Sequence, residues 1–423
     1  MNFLNKIKIA FGDSYIRNRV LAILLGIIVF RLLSAVPIPG IDSLQLENFL
    51  GGDNQFLGLL NIFSGGGLSS LSIIMLGVGP YITASIIMQL LTVMVPKFKR
   101  LYHEEGQIGR EQFNQISRFL TVPIAVVQGL GLLLLLTQQG IISQMSPMTM
   151  LFNILIVTAG AVLIMWIGEV MSEYGIGSGV SILIFAGIIA TLPTVIQQLV
   201  FTFDVSQIPT LIGFVIVAVL IIAGIVLISE SERPIPVVYS KQVRGGQVYG
   251  GTSTYVPLRI NMAGVMPIIF ALSILLFPQF LAGLLAQSDA AFWQGLSNFF
   301  LNFVNNGWLY SIVYFLLVFG FTYFYTAITF DAEAMAENLQ KSGAFVPGVR
   351  PGEQTAEYVG TVLGRITFVG ALFLASIAVI PVAIQSITGI QALAIGGTGL
   401  LIVVAVILDL IKRIDAQISM REY

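Results

Sequence analysis

The chain has 423 residues, of which 10% are charged and 56% hydrophobic, with a mean hydropathy of +0.93 and a formal net charge of −1. A soluble domain carries about a quarter charged residues. The composition therefore excludes a soluble globular enzyme, a disordered chain and a nucleic-acid binder with a basic surface. There is no Cys and one His, His103, which leaves no disulfide framework, no thiolate metal site and a single residue for any His-dependent catalysis.

Lys6 and Lys8 precede the first apolar stretch, but no cleavage pattern of small residues follows. The run from Val20 to Val36 ends in Pro37-Ile38-Pro39-Gly40 and reads as a retained first span. A helix needs about 20 apolar residues to cross a bilayer. In chain order ten segments meet this: 20–38, 72–95, 117–137, 151–170, 180–200, 209–228, 261–285, 308–328, 361–384 and 391–411. One further stretch, 56–68, is too short to cross, contains Gly65-Gly66-Gly67 and stops against Ser69-Ser70. It reads as a short re-entrant helix joined to the second span.

Cytoplasmic loops carry an excess of Lys and Arg. Numbering the connections alternately, the first set holds the N-terminal tail, loops 96–116, 171–179, 229–260 and 329–360, and the C-terminal tail. With its flanks it contains every Lys and Arg except Arg31. The second set, loops 39–71, 138–150, 201–208, 286–307 and 385–390, has no Lys or Arg, only Asp42, Glu47, Asp53, Asp204 and Asp289. The first set is expected in the cytoplasm together with both termini. Arg31 lies inside the first span, where an Arg either bonds to nearby carbonyls or lines a polar path.

No Asp or Glu lies mid-span, and Glu169 and Asp409 fall near cytoplasmic ends. Ion-coupled carriers normally place a carboxylate at the midplane. There is no phosphate-binding Gly-x-x-x-x-Gly-Lys-Ser/Thr run and no metal-ligand spacing. The chain shows no energy-coupling site of its own, so a partner or a gradient must drive whatever it moves. The many glycines within spans suit close helix approach.

Four stretches say more. In 72–91, Gly79-Pro80 interrupts regular helical hydrogen bonding and Gln89 is polar on an apolar helix. In 166–184 a very tight turn offers Gly175, Gly177 and Gly179 for positive φ. Asn261 and Pro267 open the span in 259–271, and 341–354 is a Pro/Gly-rich loop presenting Arg350. With Phe30-Arg31, Pro37-Ile38-Pro39-Gly40-Ile41-Asp42 and Gly396-Gly397-Thr398, these motifs run in order along nearly the whole chain. Together they resemble the SecY family, the channel-forming subunits of the protein-conducting translocon.

The resemblance implies an all-α polytopic membrane protein of ten transmembrane helices in two inverted-repeat five-helix halves, 1–200 and 209–423, joined by the external loop 201–208. It implies a channel without catalysis or cofactors that passes unfolded secretory polypeptides and releases membrane helices sideways into lipid. By motif register the constriction falls to Val78, Ile82, Val180, Ile184, Ile269 and Ile402. Branched apolar side chains close by dewetting yet deform around any extended peptide. Each of these residues taken alone would read as packing or lipid contact. The plug falls to the 56–68 segment, with Phe56, Leu59, Phe63, Gly65, Gly66 and Gly67; the glycines are expected to leave it loosely specified and able to move. The lateral gate, spans two and three against seven and eight, falls to Thr83, Ile86, Gln89, Gln128, Asn261 and Phe277. For Gln89 and Gln128 an ordinary interhelical hydrogen bond is the alternative.

The same resemblance implies docking of the ribosome or the SecA motor on loops 229–260 and 329–360, with Arg350 first and Lys241 second. Here the chain departs from the family. Pro234 follows Arg233 where a second basic residue is common, and no run of Arg follows Gly246. Fewer cations weaken a contact with the RNA backbone and flatten its salt dependence. Implied partners are SecE as a clamp, SecG, signal-sequence-bearing polypeptides and the lipid bilayer, in a bacterial plasma membrane. The competing reading is an inverted-repeat solute transporter, which would need a compact polar site at mid-membrane. An intramembrane enzyme lacks the residues.

Overall fold

The computed structural model describes residues 13–39, 61, 64–68, 70–138, 140, 142, 145–201, 208–239, 242–244, 247–249, 253–285, 290–388 and 391–419. Helices dominate: α1 Ser14–Ser34, α2 Gly79–Met94, α3 Pro96–His103, α4 Gly106–Gln138, α5 Pro147–Tyr174, α6 Gly179–Phe201, α7 Ile208–Glu230, α8 Met266–Leu285, α9 Ala291–Asn305, α10 Gly307–Thr329, α11 Ala332–Lys341, α12 Glu353–Thr388 and α13 Gln391–Ser419. Strands β1 Glu232–Tyr239, β2 Gln242–Arg244, β3 Gln247–Tyr249, β4 Ser253–Arg259 and β5 Ala344–Phe345 complete the chain.

A helix lies on each of the ten apolar segments. Among the described residues, five stretches are long and apolar enough to cross a membrane: Gly106–Gln138, Pro147–Tyr174, Met266–Leu285, Gly307–Lys341 and Glu353–Ile384. A sixth arises if α2 and the following Pro96–Tyr102, bent by 111°, form one broken span. The second segment differs from expectation at its start. Helix α2 begins at Gly79, Ser72 bridges to Pro37, and 73–78 are turns. Gly79 and Pro80 do not interrupt this helix; they open it, with proline in the first turn, where no amide donor is needed.

The chain packs as two compact units. One holds residues 1–214, 272–311 and 381–423, the other 215–271 and 312–380. The division follows packing and does not fall at loop 201–208.

In the first unit, the start of α1, the turn after α5 and the end of α13 share an apolar cluster of Ile16, Ile176 and Ile418, with Val20, Ile23 and Ile414 against it. That turn uses its glycines unequally. Gly177 has φ +87°, whereas Gly175 is extended. Gly179 is required by space, because a Cβ there would strike the Gly168 carbonyl. Glu169 and Asp409 are paired, with Arg118 at 2.6 Å and Arg413 at 2.8 Å.

In the second unit, the segments on either side of α8 and α10 join in a small sheet of order β4-β1-β5, all antiparallel. An all-α chain is expected to carry only helices and loops here. Ile235, Val237, Leu258, Ala344, Val346 and Val359 form the core of the sheet, with Met335 and Leu339 of α11 packed on it. Pro234 lies opposite Pro257, so this pair exchanges no N–H···O bonds. Strand β5 pairs only with Val238 and Tyr239, beyond the prolines, and their missing donors leave no gap in that ladder. Asp331 caps α11 by accepting from the amides of Glu333 and Ala334 at 2.9 and 3.0 Å.

This small core predicts a local phenotype. Ile235→Ala removes a fully buried side chain at a cost of about 2–5 kcal/mol. Limited proteolysis of the purified chain should cut residues 229–260 much faster than in the parent; an unchanged cutting rate would contradict the shared core.

Candidate functional site: the buried turn segment and its helices

The residues before α2 leave helical form without leaving the protein. From Ser64 to Val78 the described chain is a series of turns, with positive φ at Gly65, Gly66, Leu71 and Gly77. Leu68, Leu71, Ile74, Met75 and Leu76 are fully buried. The level of this segment follows from its neighbours. A Cβ at Gly65 would collide with the Phe30 ring of α1 and lie 3.1 Å from Gly187 Cα of α6. A Cβ at Gly160, midway along α5, would strike the Ile73 carbonyl. The turns therefore sit beside the middles of two long apolar helices.

Backbone polar groups placed there need partners, and the segment supplies them. Gly66 N–H donates to Asn61 O (2.8 Å), Ser72 N–H to Gly67 O (2.8 Å) and Gly77 N–H to Ile74 O (2.8 Å). Ile38 N–H donates to Leu71 O (2.8 Å) and Ile73 N–H to Val36 O (3.0 Å), tying the end of α1 alongside. Ser70 Oγ donates to Ser34 O at 2.7 Å. Arg31 Nη1 donates to Gly65 O at 3.0 Å, so the one Arg within a span serves a neighbouring carbonyl. Gly65 and Gly66 have positive φ, and Gly67 has Ser72 Oγ 2.7 Å from where its Cβ would be. Phe56, Leu59 and Phe63 lie outside the described residues.

The expected constriction residues are distributed as follows. Val78 and Ile82 are buried at the start of α2, joined by the Ile82 N–H to Val78 O bond of 3.0 Å. Val180 and Ile184 occupy the first two turns of α6; Ile184 is buried and Val180 packs on Gly168 of α5. Ile402 is buried on α13, which packs along α6. These five belong to the first unit, whereas Ile269, buried in the first turn of α8, belongs to the second.

Two of the expected gate residues do meet. Gln128 Nε2 donates to Thr83 Oγ1 at 3.3 Å, and Thr83 donates to Gly79 O at 3.0 Å. Ile86 is buried beside them on α2. Gln89 Nε2 reaches Ser85 Oγ at 3.4 Å, but its buried Oε1 has no partner among the described residues. Asn261 Nδ2 donates to Gly264 O at 3.3 Å, and its Oδ1 is likewise buried without a partner. Phe277 is partly exposed on α8.

Residue-by-residue reading missed the contact between α4 and α8. A Cβ at Gly131 would lie 2.6 Å from Phe280 O, and one at Gly283 2.7 Å from Gly131 O. Gln138 Nε2 spans to Gly283 O at 3.5 Å. Gln279, beside Pro278 on α8, is buried with an unpartnered Oε1. The signal was present only as small residues within apolar segments, which mark close approach without naming the partner.

Arg350 is exposed on a turn between Gly348 and Gly352, both at positive φ. Val346 anchors one side of that turn in the sheet core, and Thr355 Oγ1 closes the other on Arg350 O at 2.8 Å. Its guanidinium makes no ion pair among the described residues and stands toward solvent. Lys241 lies outside the described residues.

A family model described as SecY matches residues 72–411. The protein translocase subunit SecY of Halalkalibacterium halodurans is 41% identical over 425 residues, covering 97% of this chain and 96% of the relative. A solved SecY whose plug domain is described as stabilising the closed state of the translocation channel is similar with a TM-score of 0.64, at 18% identity over 94% of this chain and 91% of that one. The idle yeast Ssh1 complex bound to the 80S ribosome is similar with a TM-score of 0.63, at 16% identity over 94% and 89%. These two likenesses are of fold.

The packing around Gly65 predicts that Gly65→Ala destabilises the protein. Left-handed backbone costs an L-residue about 1–2 kcal/mol, and overpacking adds about 1–3 kcal/mol. The thermal midpoint in detergent should fall by several degrees; an unchanged midpoint would mean the turn segment is not held as described.

Proposed function

The chain belongs to the SecY family, and from that premise we propose that it is a protein-conducting channel for unfolded secretory polypeptides, with a lateral exit for membrane helices. The observation that carries the channel reading is the turn segment 64–78 beside the middles of α5 and α6. Non-helical backbone at membrane depth is tolerated where it is buried in protein or lines a water-filled path. The relative from Halalkalibacterium halodurans is a translocase subunit, which favours the channel over the solute carrier.

In this reading ten helices, α1, α2, α4 to α8, α10, α12 and α13, cross the membrane in two inverted halves, 1–200 and 209–423, with 201–208 as the outer hinge. Both termini are cytoplasmic and the membrane is a bacterial plasma membrane. The Lys/Arg asymmetry supports this, as does the apolar cluster joining the start of α1, the turn after α5 and the end of α13. Val78, Ile82, Val180, Ile184, Ile269 and Ile402 form the constriction, which lacks hydrogen-bonding groups and so does not hold a passing chain. The segment 56–68, with Phe56, Leu59, Phe63, Gly65, Gly66 and Gly67, is the plug that blocks the outer funnel at rest.

The gate is the seam of α2 and α4 against α8 and α10. The Gln128–Thr83 bond braces α2 against α4 on one side of the seam, and the long 3.5 Å link from Gln138 of α4 to Gly283 O of α8 and the unpartnered oxygens of Gln89 and Asn261 suit a seam that closes weakly. Interhelical hydrogen bonds in membranes contribute about 0.6–2 kcal/mol each, small enough for an apolar signal segment to displace. The sheet-anchored Arg350 turn is the docking point for ribosome or SecA, with Lys241 as the second contact. SecE and SecG complete the assembly, and no catalysis is required of this chain.

Replacing Ile82, Ile184 and Ile269 together with Ser should make reconstituted membranes conduct ions at rest. Unchanged resting conductance would overturn the constriction. Separately, Arg350→Glu should reduce export of a secretory precursor about ten-fold, equivalent to about 1.4 kcal/mol of docking, at normal levels of the assembled complex. Undiminished export would remove Arg350 from the docking role.

A further inference from the structure

Helix α9 follows α8 within a few residues and precedes α10 by one, yet with 15 residues it is too short to span. It has three stripes. One faces protein: Ser297 is buried and its Oγ donates to Ala282 O of α8 at 3.0 Å. At the end of the helix Phe303, in line with Phe292 and Phe299, turns onto α10 with its ring 6.4 Å from that of Tyr310. A second is polar and exposed, with Gln294, Asn298 and Asn302 at successive four-residue steps. The third is aromatic and bare. Phe292 and Phe299, two turns apart, are 72% and 62% exposed, and Trp293 stacks edge-on beside Phe292 at 5.2 Å.

Water alone does not account for such a stripe, since exposed large aromatics in a row mark an interaction surface. The occupant follows from the surroundings. The bare stripe continues into the start of α10, where Trp308 is 73% exposed and Leu309 is also exposed, at the mouth of a helix long and apolar enough to cross a membrane. Aromatic side chains concentrate where such helices meet the headgroups. Between 286 and 307 the only charged residue is Asp289, so neither an anionic nor a cationic partner finds a complement here.

We infer that α9 lies in the plane of the membrane surface, with Phe292, Phe299 and Trp293 sunk among headgroups and upper acyl chains, and Gln294, Asn298 and Asn302 toward water. This rests on the reading that α8 and α10 cross the bilayer. The helix is a pad that fixes the depth at which the α8–α10 hairpin leaves the membrane. With no cations, it binds by apolar area and not by lipid charge.

The chain has three tryptophans, Trp166, Trp293 and Trp308, which makes fluorescence the direct test. All three are changed to Phe, and Phe299→Trp is added as the reporter. The full chain is reconstituted in phosphatidylcholine vesicles carrying lipids brominated at different depths. Quenching should be about two-fold greater from shallow than from mid-chain bromines. It should be the same in vesicles containing anionic phosphatidylglycerol and in high salt. Quenching by aqueous iodide with none by lipid would place the stripe in water and overturn the inference. Shielding from both would mean that protein covers the stripe, which overturns it equally. A parallel reporter, Leu316→Trp on α10 in the same Trp-free background, separates the premise. Deep quenching there with a water-exposed residue 299 refutes only the pad, whereas a shallow or aqueous Leu316→Trp refutes the spanning of α10.

Discussion

In an apolar medium a backbone amide or carbonyl finds no water, and every departure from helix must be balanced inside the protein. The stretch from Ser64 to Val78 meets that constraint at the level where it is most severe. Its own turns satisfy much of the backbone, the end of α1 takes Leu71 O and offers Val36 O, and Arg31 covers Gly65 O. Glycine is needed where the Phe30 ring and α6 close in. The same constraint explains why Arg31 is tolerated in a span: it offers donors where a carbonyl would otherwise be left over.

Around this segment the helices approach through small residues. Gly160 admits Ile73 O, Gly131 and Gly283 let α4 and α8 touch backbone to backbone, and Gly399 receives Ile188. Lipid drives no hydrophobic association between helices, so close van der Waals contact has to. Contacts built on backbone proximity have two states, packed or parted, with little between. A seam made this way, carrying a weak polar link such as Gln138 to Gly283 O, suits a channel that must stay shut yet open sideways.

Much of the architecture is legible in the residues alone. Apolar length locates a helix on each of ten segments, and the placement of Lys and Arg sorts the loops, because both signals are averages over many residues. The start of α2 falls seven residues later than hydropathy places it, since hydropathy does not distinguish a buried turn from a buried helix. Gly79-Pro80 reads equally as a break or a beginning, and only the chain before it decides. The sheet escapes a reading by pattern because its strands are short and rich in proline, and because β5 comes from a segment about a hundred residues beyond β1. Side-chain roles are least legible: a Gly in an apolar run announces a close approach but not its partner. Family resemblance, carried by motifs such as Pro37-Ile38-Pro39-Gly40 and the Arg350 loop, fills that gap for function. Arg350 stands on a turn rooted in a sheet shared between two distant segments, while the 229–260 loop carries few cations. In the docking role proposed for this face, so few cations leave less of the contact to counterion release.

The most direct measurement places a photocrosslinking side chain at Ile82, Ile184 and Ile269 in turn and arrests a secretory polypeptide halfway through export. A constriction shared by both halves predicts that all three positions crosslink to the arrested chain and that exposed positions such as Leu220 do not. Crosslinks from those three positions to lipid, with none to the polypeptide, would contradict it.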